Sequence, residues 1–128
     1  MNKLIIDAAN KDIFLMIIIN HNTYSITHDN SKINYERLTI LVNDFLNSKK
    51  LDLNDINQIY VNRGPGSFAG VRNSLSIVKA FNLAKKIDYY CYSHVDFKDE
   101  KKFKYSNIPS LCVKFNVKKN LINPIYIS

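Results

Sequence analysis

The sequence predicts an α/β fold: a mixed five-stranded sheet in the order β-β-β-α-β-α-β, helices packed on it, and a short C-terminal β extension. Three observations carry this expectation. Strand-like segments open the chain with only short turns between them. Two helical patterns then alternate with two further strands. All three glycines lie in one strand-to-helix junction, Gly64 to Gly70.

Leu4 to Asp7 is a short apolar run ending on a carboxylate, and Ala8 to Asp12 is a turn. Ile13 to Asn20 is β-rich and apolar, as for a strand buried on both faces. His21-Asn22 suits a hairpin turn, with Tyr24 to Thr27 as a third, shorter strand. His28 to Asn34 is polar and loop-like, and Asn34 is a candidate N-cap with Glu36 in the first helical turn. Tyr35, Leu38, Leu41, Val42 and Phe45 follow at i, i+3, i+4 spacing, which predicts an amphipathic helix to about Ser48. Asp52 can cap a helical turn through Asp55 and Ile56, and Ile59 to Val61 is a strand. After the glycines come a helix from Gly70 to about Lys86 and a fifth strand, Tyr89 to Tyr92. A strand, a crossover helix and another strand imply parallel pairing in that half of the sheet. Asp96 to Ser106 is charged and linker-like. Leu111, Val113, Phe115 and Val117 then alternate with polar or small residues, as in a half-buried strand, and Pro124 to Ile127 closes the chain. The predicted organisation is one domain over residues 1–97, with residues 98–128 as linker and one or two strands.

Bulk properties narrow the function classes. The longest apolar run, Ile13 to Ile19, is too short to span a bilayer, and no signal-peptide pattern is present. Cys91 and Cys112 lack CxxC spacing and suit buried thiols in a cytoplasmic protein. The net charge of +7 invites a nucleic-acid reading, but only Arg37, Arg63 and Arg72 are arginines, and the lysines are dispersed. His21, His28 and His94 have no metal-ligand spacing. Ser67 is not in a G-x-S-x-G elbow and has no histidine placed as its base, so no catalytic residue is predicted.

The glycine segment has two readings. It sits where phosphate loops occur, but Gly70 is followed by Val71 rather than the lysine of a Walker loop. Its G-x-G-x-x-x-G spacing is one residue too long for a dinucleotide fingerprint. As a joint, Pro65 ends strand pairing, Gly64 and Gly66 allow positive φ or close backbone approach, Ser67 caps the next helix, and Gly70 lets that helix meet the sheet. Arg63 and Arg72 flank the joint and are the candidates for an anion.

The stretch Arg63-Gly64-Pro65-Gly66-Ser67-Phe68-Ala69-Gly70-Val71-Arg72 resembles the signature GRGPGSFTGLRIG of the TsaB (YeaZ) family of tRNA-modification proteins. "KLIIDAA", "NYERLTILVNDFL", "LDLNDINQIYV" and "YYCYSHVDF" are similar to the family's other landmarks, over about residues 3 to 97. "INPIYIS" is similar to the closing segment of many members. The departures are Ala8-Ala9 for a Thr-Ser pair, Asn34-Tyr35 for His-Ser, Ala69 for a threonine and Ser74 for a glycine. The second domain expected of the family is reduced here to about thirty residues, so the chain reads as a shortened form.

The resemblance implies a ribonuclease-H-like, actin-like fold and a non-catalytic scaffold that binds TsaD, the enzyme that transfers a threonylcarbamoyl group to an adenosine of certain tRNAs. TsaE would join the larger complex, tRNA would be contacted indirectly, and ATP would bind the partner subunits, leaving this chain without a cofactor. The implied interface is Leu38, Leu41, Val42 and Phe45 on the first helix with Arg72, Leu75, Ser76 and Lys79 on the second. Without a partner the same helices would form a homodimer. The alternatives are a stand-alone actin-like ATP-binding enzyme, in which Asp7 would hold a metal-bound water, and a basic tRNA-binding module.

Overall fold

The computed structural model describes residues 1–98, 100 and 102–126. Its sheet has five strands in the order β3-β2-β1-β4-β5. These are β1 (Asn2–Asp7), β2 (Asp12–Ile19), β3 (Asn22–Asp29), β4 (Gln58–Asn62) and β5 (Asp88–Tyr92). β1, β2 and β3 form an antiparallel meander, while β4 runs parallel to both β1 and β5, as the crossover connections require.

The first helical pattern is divided. A single turn, α1 (Lys32–Tyr35), precedes α2 (Leu38–Ser48). Asn34 is not a cap: its amide donates to the Asp29 carbonyl at 2.8 Å and ties the turn to the end of β3. α3 (Phe68–Lys85) starts two residues earlier than expected, because Ser67 is its N-cap and accepts from the Gly70 amide. α3 ends at Lys86, which adopts a left-handed conformation. Asp52 caps the turn Leu53–Asp55, as the sequence predicts, and Asp55 completes a capping box with it.

One face of the sheet packs under α1, α2 and α3. Leu4, Ile6, Ile13, Leu15, Ile17, Ile59 and Val61 meet Leu38, Val42, Leu46, Val71 and Val78 in one core cluster. The opposite face carries a second cluster, in which Ile5, Tyr60 and Tyr92 are covered by Phe97, Ile108, Leu111 and Cys112.

That second cluster overturns the reading of the C-terminal segment. Residues 111–117 are not a strand: Ile108–Lys114 form helix α4, with Pro109 in its first turn. Ile108, Leu111 and Cys112 share the buried side at helical spacing, whereas Val113, an inward position in the strand reading, is 77% exposed. The alternation of Leu111, Val113, Phe115 and Val117 coincides with a helical repeat too short to be told apart by period. The aromatics of the linker-like stretch are anchored: Phe97 is buried, and Phe103 and Tyr105 pack against the same cluster. The β extension reduces to one isolated bridge, Lys119 to Tyr90, among the described residues. The predicted closing segment runs as an irregular strap to Tyr126, and Ile127 lies outside the described residues.

The glycine segment is the joint between β4 and α3. Gly64 has φ +101°, a conformation that L side chains rarely adopt, and the strap crosses it so closely that a Cβ there would overlap the Ile125 carbonyl. Gly66 and Gly70 face the turn after β1, where any Cβ would overlap the carbonyls of Ala9 and Ala8. Backbone bonds seal the contact: Ser67 N–H donates to Ala9 at 2.8 Å and Ile125 N–H to Arg63 at 2.7 Å. Gly64→Ala should therefore combine an unfavourable left-handed φ with overpacking, a loss of about 2–4 kcal/mol by urea denaturation. A loss below about 0.5 kcal/mol would show that the joint adapts freely.

Candidate functional site

β1, β4 and β5 are parallel, so their C-terminal ends, Asp7, Asn62 and Tyr92, open on the same side, where ligand crevices of α/β sheets lie. A cleft of about 310 Å³ is present there, lined by Asp7, Asn10, Asn62, Tyr92, Phe103 and Tyr105 among others. Asp7 is its one buried carboxylate among the described residues, 3% exposed.

The chain itself satisfies Asp7. Oδ1 accepts from the Ala9 amide at 3.0 Å, and Oδ2 accepts from the Asn10 amide group at 3.2 Å and from the Tyr105 hydroxyl at 2.7 Å. Tyr105 reaches Asp7 from the C-terminal segment, with its ring stacked on Phe14 at 4.0 Å between centroids. Ala8 and Ala9, which stand where the family has hydroxyl residues, are buried under the glycine joint. Their carbonyls accept from Asn30 and Ser67, so the turn after β1 is filled by protein groups. Among the described residues no cluster of three or more His, Cys, Asp or Glu side chains could hold a metal ion.

Neither arginine of the signature stands free in that cleft. Arg63 forms a two-pronged pair with Asp96, at 2.7 and 3.3 Å, and its third nitrogen donates to the Asn123 carbonyl at 3.0 Å. It clamps the strap and the Ser93–Asp96 turn to β4 and is no longer a free anion ligand. Arg72 is exposed on α3 and lines a different groove. Phe68 is half-exposed and packs against Tyr126 with centroids 4.6 Å apart.

The predicted partner residues separate into two groups. Leu38, Leu41, Val42, Phe45 and Leu75 are buried, at most 7% exposed, and hold α2 and α3 to the sheet. This corrects the expectation that they meet a partner: spacing shows which residues share a face, not which of two faces is turned inward. Arg72, Ser76 and Lys79 are exposed and form the rim of a shallow groove floored by Leu75, with Ile122 and Tyr126 on its far side. The accessible apolar side chains of the helical layer are others: Ile33 is 72%, Ile40 51% and Leu83 71% exposed. None of the three is among the residues expected at the interface, and Ile33 lies in the stretch that the sequence reads as loop.

Comparisons with known proteins agree with this architecture. A family model described as "TsaD: tRNA N6-adenosine threonylcarbamoyltransferase" matches residues 25–120. The tRNA threonylcarbamoyladenosine biosynthesis protein TsaB of Buchnera aphidicola subsp. Schizaphis graminum is 25% identical over 95 residues, covering 74% of this chain and 45% of the relative. The chain belongs to this family, on its TsaB (YeaZ) side. A second TsaB, from Buchnera aphidicola subsp. Baizongia pistaciae, is 30% identical over 74 residues, 51% of this chain and 34% of the relative. YeaZ from Pseudomonas aeruginosa superposes with a TM-score of 0.66 at 23% identity, over 72% of this chain and 43% of that one. RuvC from T. thermophilus, in complex with Holliday junction substrate, gives 0.53 at 14% identity, over 77% of this chain and 68% of that one. Together these establish the ribonuclease-H-like fold. The chain spans less than half the length of the curated TsaB relatives it matches.

Both cysteines of this TsaB-family chain are buried free thiols. Burial pushes Cys91 up to about 12 from 9.0, opposed in part by Arg63, and burial with the Asp96 carboxylate pushes Cys112 up to about 12. Burial likewise raises Tyr60, Tyr92 and Tyr105, with Asp7 adding to the last two. In the unfolded chain these groups lose protons at lower pH than in the folded one. Stability should therefore fall progressively as pH rises from about 9 toward 12. Urea midpoints measured at rising pH test this, and a midpoint constant through that range would contradict it.

Proposed function

We propose that this chain is a non-catalytic subunit that binds TsaD in the machinery forming N6-threonylcarbamoyladenosine in tRNA. The observation that carries the reading is the hydrogen bond from Tyr105 to Asp7. The one carboxylate placed as an actin-like ATPase would need it is held by the chain's own groups, and its turn is packed by the glycine joint. Nucleotide and tRNA chemistry then fall to partners, with TsaE and ATP in the larger assembly, and the protein works in the cytoplasm.

The helical layer is the docking surface this reading assigns. Ile40 and Leu83 supply apolar contact, and Arg72, Ser76 and Lys79 a polar, cationic stripe along α3. The buried residues Leu38, Leu41, Val42, Phe45 and Leu75 act through it indirectly, by setting the position of the two helices.

Co-expression with TsaD of the same organism should give a complex that co-elutes in gel filtration. The isolated chain should not hydrolyse ATP. Leu83→Asp combined with Ile40→Asp should weaken the complex at least about tenfold, while the thermal midpoint of the isolated chain stays unchanged. ATP hydrolysis by the isolated chain that disappears in Asp7→Ala would overturn the non-catalytic reading. Undiminished TsaD binding by the double variant would overturn the assigned surface.

A further inference from the structure

The lysines that lie dispersed along the sequence are not spread evenly over the fold. Residues 97–128, a quarter of the chain, hold seven lysines against Asp99 and Glu100, which is +5 of the net +7. Residues 1–96 carry eleven basic and nine acidic side chains and are close to neutral. The charged quarter includes the layer that covers the second face of the sheet, opposite α2 and α3. Within it the lysines surround one aromatic cluster, in which the Phe97 ring lies 5.2 Å from Phe103 and 5.8 Å from Phe115. Lys98 follows Phe97, Lys102 and Lys104 flank Phe103, and the Lys114 ammonium stands 5.3 Å from the Phe115 ring. Lys98 and Lys118 line one groove beside this cluster, and Lys102 and Lys104 another. Lys114 pairs with Glu100 and Lys119 with Asp88. Lys98, Lys102, Lys104 and Lys118 are exposed and form no ion pair among the described residues.

We propose that this layer binds RNA directly, with phosphates on Lys98, Lys102, Lys104 and Lys118 and an unpaired base against Phe103. The choice of RNA rests on the reading above, in which the assembly acts on tRNA. The site itself follows from the layer. Positive charge gathered beside a nearly neutral body attracts a polyanion and turns it toward one face. Phe103 and Phe115 are half-buried between these lysines. Aromatic rings so placed are stacking surfaces for bases that have left their own stack.

Phe103 gives such a base a place to go, because it lines both the groove of Lys102 and Lys104 and the polar cleft at the ends of β1, β4 and β5. That cleft, of about 310 Å³, has no lysine or arginine in its lining, so it suits a neutral base and not a phosphate. The Tyr92 hydroxyl is buried there with no hydrogen-bond partner among the described residues. Asn62 uses its side-chain oxygen on the Gly64 amide, which leaves its NH2 group to donate. A base edge carries donors and acceptors for both groups. The layer lies on the other side of the sheet from α2 and α3, so RNA and TsaD can be held together.

Fluorescence anisotropy of a labelled, unmodified tRNA transcript titrated with the isolated full chain tests the proposal. Kd should fall at about 1–100 μM in physiological salt, and log affinity against log salt should slope at about −3 to −4, as four phosphate contacts require. Lys102→Glu with Lys104→Glu should weaken binding at least about tenfold and make the slope shallower by about 2, with an unchanged thermal midpoint. Lys49→Glu with Lys50→Glu makes the same charge change on the helical side and should weaken binding less than about threefold. A single-stranded oligonucleotide should bind about tenfold tighter than a strand of equal length whose sugars carry no bases. If the Lys102 and Lys104 variant fails to fold, cross-links from tRNA containing 4-thiouridine decide, and they should map to residues 97–119. Co-elution with TsaD, measured on the same variants, should persist, so failure of RNA binding and failure of the TsaD reading are told apart. No tRNA binding at about 1 mM chain in about 50 mM salt would overturn the proposal. So would equal losses in the two pairs of lysine variants, equal affinity for the baseless strand, cross-links on α2 or α3, or tighter binding to phosphatidylglycerol vesicles than to tRNA.

Discussion

Three segments of backbone converge where no side chain can stand. The turn after β1, the start of α3 and the C-terminal strap meet at Gly64, Gly66 and Gly70, and at each a Cβ would overlap a carbonyl of another segment. Close approach lets Ser67 N–H reach Ala9 and Ile125 N–H reach Arg63. Much of the remaining architecture depends on this contact. It fixes the direction in which α3 leaves the sheet, and so the face that α2 and α3 present together. It brings the strap across β4 and β5, where Arg63 grips both Asn123 and Asp96. That pair is largely shielded, with side chains 13% and 23% exposed, so the guanidinium acts as an internal tie.

The same contact decides what the polar cleft can do. With the turn after β1 occupied by packed backbone, Asp7 finds its partners in Ala9, Asn10 and Tyr105. Tyr105 belongs to the segment that covers the second face of the sheet, so covering that face and closing the cleft are one structural event. Tyr92 and Tyr105, which line the cleft, keep their protons well beyond neutral pH, because burial and the Asp7 carboxylate disfavour their charged forms.

Most of the central sheet was legible because its signals are local and strong. The apolar run of β2 and the capping residues Asp52 and Ser67 are such signals, and the spacing of the glycines matches a strand-to-helix joint better than either familiar phosphate loop. The helical layer was legible in composition but not in orientation. Leu38, Leu41, Val42, Phe45 and Leu75 have the spacing of a face, and only the packed sheet reveals that this face is the core. The C-terminal segment was misread because Leu111, Val113, Phe115 and Val117 fit a strand over a stretch too short for the helical period to declare itself. Tyr105 could not be found at all: its role depends on a hydrogen bond to a residue 98 positions earlier in the chain.

Native-state hydrogen exchange tests the joint most directly. The amides of Arg63, Ser67 and Ile125 donate to Tyr92, Ala9 and Arg63, and so report whether the three segments hold together. If the joint is the constraint on which the fold depends, all three amides should exchange only through global unfolding, with the same free energy as the central amides of β1 and β4. Exchange of Ser67 or Ile125 through a local opening several kcal/mol cheaper would contradict the account, because β1, α3 and the strap would then be separable parts.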